Sequence, residues 1–236
     1  MAELSATDIL SRVLYCDDDI IVLNKPQGIA VHRTPKGGEH LEQYFDALRF
    51  GEKRTPSLAH RLDKETSGCL VLGRTRESLA RLAKWFEQGK IEKHYWAIVD
   101  GVPAEDSGVI SMPIARRDLG RGKWQFLCAE DGQDAITRYK VLEKNTTHAW
   151  LEMSPITGRT HQLRLHASYM GWAIMGDAFY GVSDGVHPLM LHARSIAIPR
   201  PYNPKLAKQL PPIRVICPPT EAMAECIKAE GWNDEK

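Results

Sequence analysis

Residues 60–73 read His60-Arg61-Leu62-Asp63-Lys64-Glu65-Thr66-Ser67-Gly68-Cys69-Leu70-Val71-Leu72-Gly73, a dense polar block that runs directly into an apolar one. A short apolar run bounded by turn residues predicts a buried strand, so the polar block is a loop anchored by the core at one end. Polar loops of this kind are often plain connectors. This one carries a single aspartate, Asp63, between Arg61 and Lys64. Neighbouring cations favour the ionised carboxylate, which makes Asp63 a candidate nucleophile or general base.

Upstream, residues 19–24 (DIIVLN) form a second apolar run, ended by Lys25-Pro26-Gln27-Gly28, and read as a buried strand followed by a turn. Downstream, Leu79, Leu82, Ala83 and Phe86 recur at helical spacing before Gly89, which predicts a helix over residues 75–88. Residues 93–99, 135–142 and 149–153 alternate and are rich in β-branched and aromatic types, as strands are. The pattern is α+β: a long mixed or antiparallel sheet with peripheral helices. Prolines between residues 199 and 219 exclude a long regular element there, and residues 221–229 read as a short helix capped by Thr220. With no repeat and no compositional break, residues 1–236 are expected to form a single domain.

A second polar block follows Pro155: Thr157-Gly158-Arg159-Thr160-His161-Gln162-Leu163-Arg164-Leu165-His166. Residues 160–170 have helical spacing, with Leu163, Ala167 and Met170 on one side and His161, Arg164 and Ser168 on the other. His161 and His166 are turned about 140° apart on such a helix, so they cannot easily share an ion. With His187 and His192 also downstream, a zinc hydrolase is conceivable, but no HExxH or acidic ligand pattern accompanies them, and no metal is expected. Arg159 and Arg164 fit a phosphate contact and a carboxylate partner, since a guanidinium holds either in bidentate geometry. A purely structural Asp–Arg pair is the plainer alternative.

The 43% hydrophobic and 26% charged composition is that of a globular chain rather than a disordered one. No apolar run approaches the ~20 residues that span a bilayer. The opening residues do not resemble a secretory signal, and five scattered cysteines form no CxxC pair. A reducing cytoplasm is expected. The net charge of +1 does not announce a polyanionic partner. Two local groups do more: Arg116, Arg117, Arg121 and Lys123 next to Trp124 and Phe126, and Lys53, Arg54, Arg61, Lys64, Arg74 and Arg76 around the first block. Either is ordinary solvated surface or a phosphate contact.

Taken together, HRLDKETSG and GRTHQLRLH resemble the two signature motifs of the RluA-type pseudouridine synthases. The early Asn24-Lys25-Pro26-Gln27-Gly28, then Lys93-His94-Tyr95, and Gly176-Asp177 with Tyr180, are similar to that family's NKPxG, KxY and GDxxY stretches, in the same order. The resemblance implies a single catalytic domain with a central RNA-binding cleft and no N-terminal S4-like module. It implies Asp63 as catalytic carboxylate, Tyr95 as the tyrosine stacking on a flipped uracil, and Arg164 as the arginine paired with the aspartate. Arg61 resembles the residue that fills the space left in the RNA, and His60, Arg159, His161, Arg116, Arg117 and Arg121 are expected as further RNA contacts. The implied reaction breaks the glycosidic bond of a uridine, rotates the uracil and rejoins it through carbon 5, without cofactor or metal. The expected target is a ribosomal or transfer RNA stem-loop, modified by a cytoplasmic monomer. Asp63 could attack the ribose anomeric carbon, attack the pyrimidine, or remove a ribose proton. A non-catalytic RNA-binding protein that retains the fold is the competing reading.

Overall fold

A computed structural model describes residues 4–33, 37–120, 124–182, 185–203 and 208–233. In chain order the elements are α1 (Ala6–Ser11), β1 (Val13–Cys16), β2 (Ile20–Lys25), a 3-10 segment (Leu41–Leu48), β3 (Ser57–Leu58), β4 (Ser67–Gly73) and α2 (Arg76–Glu87). There follow β5 (Glu92–Asp100), β6 (Ser107–Ser111), β7 (Ile114–Asp118), β8 (Trp124–Cys128), β9 (Ile136–Lys144), β10 (His148–Pro155) and α3 (Gln162–Tyr169). The chain ends with β11 (Leu191–Ile198), β12 (Tyr202–Asn203), β13 (Lys208–Gln209), β14 (Ile213–Ile216) and α4 (Glu221–Ala229). Two compact units result: Met1–Lys93 with Ala193–Pro218, and His94–His192 with Pro219–Lys236.

In the first unit the strands run β1-β2-β4-β11, with β3 also on β4 and β14 on β11. All seven positions of β4 are buried, as the apolar run at its centre requires. It pairs antiparallel with β2, placing Leu23 opposite Leu70, Val22 opposite Val71 and Ile21 opposite Leu72. Truncating one of these fully buried leucines to alanine would cost about 2–5 kcal/mol. At the start of β4, Gly68 has φ of 102°, and a Cβ there would lie 2.3 Å from the Ala193 carbonyl oxygen, so only glycine lets the loop enter the strand this way. At its end α2 begins with a reciprocal cap between Thr75 and Ser78 and buries Leu82. This helix matches the range that its spacing predicts.

In the second unit β5, β10, β9 and β6 lie side by side, antiparallel throughout. Trp96 and Trp150 meet edge to face at 4.6 Å in its core, and α4 adds Met223 and Ile227. A separate hairpin, β7–β8, packs over Ile114, Ala135 and Leu165.

The expected helix over 160–170 begins only at Gln162, because His161 adopts a left-handed conformation with φ of 55°. Met170, expected on the apolar side, is exposed beyond the helix end, whereas residues 162–167 are buried on every side. Among the described residues of 199–219 the regular elements are the short strands β12, β13 and β14, in keeping with the prolines there. No helix among the described residues is long and apolar enough to cross a membrane.

Candidate active site

In the first unit the loop that carries Asp63 leads directly into β4. Leu62 and Thr66 are buried on either side of a half-buried Asp63. The Thr66 amide donates to the Asp63 carbonyl, closing a tight turn. The remaining carbonyls of the turn point at residues of the 25–28 segment. Lys25 is wholly buried, and its Nζ donates to the carbonyls of Pro26, Lys64 and Thr66 at 2.8–2.9 Å. Gln27 Nε2 donates to the Glu65 carbonyl at 2.7 Å, and the Gly28 amide to that of Lys64. Three acceptors match the three N–H bonds of an ammonium. Burial opposes that charge and pulls the Lys25 pKa down to about 7, against the attraction of Glu65 and Asp63.

His60 braces the other end of the loop. Its Nε2 accepts the Val71 amide at 3.0 Å and its ring lies against Phe86, 4.6 Å between centroids. Burial, with the Lys93 charge beside it, pushes its pKa down to about 3. His60 is therefore a neutral support for the loop. Arg74 is likewise structural: buried, it donates to the carbonyls of Asp17 and Arg49. Arg61 and Lys64 are exposed, and the Lys64 ammonium lies 3.8 Å from Glu65.

In the second unit Tyr95 is half-buried on β5, opposite Met153 of β10, and the fully packed Trp96 follows on the other face. Arg164 is buried on α3, where its Nε and Nη2 hold both oxygens of Asp177 at 2.7 Å. The rings of Phe179 and Tyr180 lie 5.4 and 5.2 Å from the guanidinium. Burial alone would raise the Asp177 carboxyl, but the Arg164 hydrogen bonds and charge and the amides of Phe179 and Tyr180 hold it below its ordinary value. The preceding Gly176 packs against the 187–188 backbone, where a Cβ would lie 2.2 Å from the Pro188 carbonyl oxygen.

His161 and Ser168 face the same segment as Arg164, as the helical spacing implies: His161 Nδ1 lies 2.8 Å from the Tyr180 hydroxyl, and Ser168 donates to the Tyr180 carbonyl. His166 faces elsewhere. Its Nε2 donates to the Met112 carbonyl, so Nδ1 accepts from the Thr137 hydroxyl, and burial holds its pKa down. Gln162 Nε2 donates to that same hydroxyl oxygen and to the Ile136 carbonyl, while its Oε1 accepts from Thr157 and the Arg159 amide. The 157–162 turn is thus stapled to β9. Arg116 and Arg117 lie on β7, Arg159 is exposed with Nε on the Asp134 carbonyl, and Arg121 lies outside the described residues.

The sequence profile of the RNA pseudouridylate synthases matches residues 19–169, which contain both blocks and β5. The chain belongs to that family. An uncharacterised RNA pseudouridine synthase of Zymomonas mobilis is 38% identical over 206 residues, covering 86% of this chain and 94% of that one. The ribosomal large subunit pseudouridine synthase C of Haemophilus influenzae is 36% identical, covering 82% of this chain and 62% of its own. Among solved structures, human RNA pseudouridylate synthase domain containing 4 superposes with a TM-score of 0.75 at 27% identity, covering 94% of each chain. The protein is an RNA pseudouridine synthase, an isomerase that converts uridine to pseudouridine in RNA.

Three residues that hold this synthase's motifs escape a reading by residue type. Lys25 looks like a surface lysine, although an apolar run directly before it and a proline after it leave it at the buried end of a strand. Asp177 belongs to a recognised motif but has no chemistry of its own until Arg164 is seen against it. Gln162 lies inside a helical pattern that hides its part in closing the preceding turn.

Proposed function

We propose that Asp63 is the catalytic carboxylate of this isomerase, with Tyr95 as the stacking face and proton acceptor, and Arg164 as the arginine that the family resemblance pairs with the aspartate. The whole chain acts as one catalytic domain, with RNA in a central cleft. The observation that carries this reading is the loop itself. A connector needs no buried ammonium, yet here Lys25 is spent on fixing the carbonyls that follow one half-buried aspartate. A lysine desolvated for that purpose fits a carboxylate whose direction matters.

Within that reading the uridine is flipped out of its stack, which costs a few kcal/mol. The Tyr95 ring offsets part of this by stacking. The bond between C1′ and N1 breaks, the uracil turns, and C1′ bonds to C5. The C5 proton leaves and N1 gains one, so atoms and charge balance without an electron carrier. The Tyr95 hydroxyl takes the C5 proton, directly or through water. Exposed Arg61, Arg116 and Arg159, with half-buried Arg117 and His161, contact the RNA. A stem-loop of ribosomal or transfer RNA is the target, modified in the cytoplasm by a monomer. The ribosomal names of several relatives support the first of these.

The test is Asp63→Asn, which removes the charge at almost constant volume. Tritium release from RNA labelled at uracil C5 should fall on the order of 10³-fold or more, with thermal unfolding and RNA affinity close to wild type. Near-normal release would refute the assignment. A loss of stability with release retained would make Asp63 a structural residue.

A further inference from the structure

Next to the stapled 157–162 turn the second unit has a cavity of about 400 Å³, lined by Arg116, Arg117, Phe126, Arg159 and Thr160 among others. We propose that this cavity is a second nucleotide subsite, holding one unpaired nucleotide of the RNA while a different one is modified. The proposal rests on the reading that this enzyme takes its uridine from a stem-loop.

Size and chemistry point to the same ligand. A volume near the lower end of ligand pockets suits one nucleotide rather than a length of strand. Three arginines line it against one aspartate, Asp131, which is tied to Arg117 by an ion pair. That leaves a positive excess for a phosphate. Arg116 lies over the ring of Trp124, its guanidinium carbon 3.6 Å from the centroid, which holds the cation in place at the cavity. Arg159 is anchored through Nε to the Asp134 carbonyl, which directs the rest of its guanidinium. Phe126 supplies the apolar wall that a base requires, and Thr160 and Gln133 add groups that can meet base edges. Duplex RNA presents phosphates on a convex backbone with its bases stacked inside, and could not fill a concave site of this kind. A splayed loop nucleotide can.

The walls are preformed. Gly132 packs so tightly that a Cβ would lie 2.4 Å from the Ile114 carbonyl carbon. Gly158 differs: a Cβ there would meet nothing within 4 Å and its φ is not left-handed, so a side chain adds bulk at the cavity wall without disturbing the fold.

The experiment uses the full chain and a synthetic stem-loop with an all-uridine loop, tritiated at C5, with an abasic residue placed at each loop position in turn. Gly158→Leu should weaken binding of the intact RNA on the order of tenfold, with unchanged thermal unfolding. At one position, and only there, the abasic RNA should lose affinity for wild type and bind both proteins equally. Arg159→Gln is the second variant, and should lose affinity and shallow the salt dependence. Equal binding by Gly158→Leu and wild type, or the same weakening at every abasic position, overturns the subsite. Tritium release by wild type reports the stem-loop reading separately: if it is absent while the affinity coupling holds, the target assignment fails and the cavity stands.

Discussion

Around Asp63 the hydrogen bonds that fix the site fall on main-chain carbonyls, those of Lys64, Glu65 and Thr66, with Lys25, Gln27 and Gly28 as donors. Around Arg164 they fall on the guanidinium itself, which Asp177 grips at two nitrogens between two aromatic rings. The first unit thus positions a residue by holding its backbone, and the second by holding its head group. The difference suits the roles proposed. A carboxylate that acts on a substrate needs a fixed direction, and a loop held by its carbonyls supplies one. An arginine whose charge only has to persist in one direction can be locked through its own donors.

Removing the partner of a gripped head group should be the costlier change. Asp177→Ala leaves a buried guanidinium without its carboxylate and strips the Phe179 and Tyr180 amides of their acceptor. We expect a loss of about 4 kcal/mol, within the range for half of a broken buried ion pair. Thermal unfolding should fall by roughly 10 °C. A change below about 1 kcal/mol would show that Arg164 does not depend on this pair.

Removing the grip on a backbone should cost less stability and more activity per kcal/mol. Lys25→Met leaves the Pro26 and Thr66 carbonyls without this donor, while the Gly28 amide still serves Lys64. The methionine fits a buried site, so the net destabilisation should be about 2 kcal/mol. The rate on a saturating RNA substrate should fall by on the order of 10²-fold, because a shift of the loop misaims Asp63. Loss of stability without loss of rate would make Lys25 a packing residue only.

Most of this architecture is legible in the sequence, and the parts that are not share a cause. The α2 helix is read correctly to its caps because Thr75 and Gln88 bracket a clean amphipathic pattern. β4 is legible because four consecutive apolar residues follow a glycine. β7 and β8 show no such pattern: Arg116 and Gln125 are exposed and Arg117 half-buried in a small hairpin that packs, among the described residues, on a core of Ile114, Ala135 and Leu165. The start of α3 is misplaced because a side chain, Gln162, closes the preceding turn, and periodicity reports only which residues face the core. In the site, Asp63 and Arg164 stand out as charges inside motifs. Their supports do not, since a buried lysine and a surface lysine read alike until the carbonyls around one are known.

The finest separation of backbone grip from head-group grip comes from pH, because Lys25 is the titrating member of the first and has a folded-state pKa of about 7 against an ordinary 10.5. Below that value the ammonium supplies three donors to three carbonyls. Above it the amine has two donors and a lone pair that faces an oxygen, so one carbonyl of the set loses its partner. Turnover should therefore decline as pH rises through about 7 towards 9, along a single-proton limb. Stability should move the other way. Between about 7 and 10.5 the unfolded chain binds the Lys25 proton and the folded chain does not, so unfolding free energy rises with pH in that window, by at most about 1.4 kcal/mol per pH unit. Lys93, also lowered by burial, adds to the stability trend and is common to both proteins compared. Glu65 and Asp63 attract the Lys25 proton and Lys64 repels it, so the midpoint should fall with Glu65→Ala and rise with Lys64→Ala. Initial rates and thermal midpoints measured on wild type and Lys25→Met between pH 6 and 9 decide the matter. In the variant the rate should be low and flat, and the rise in stability smaller. A wild-type rate that is flat across this range would mean that the loop does not need the charge of Lys25 to aim its carboxylate.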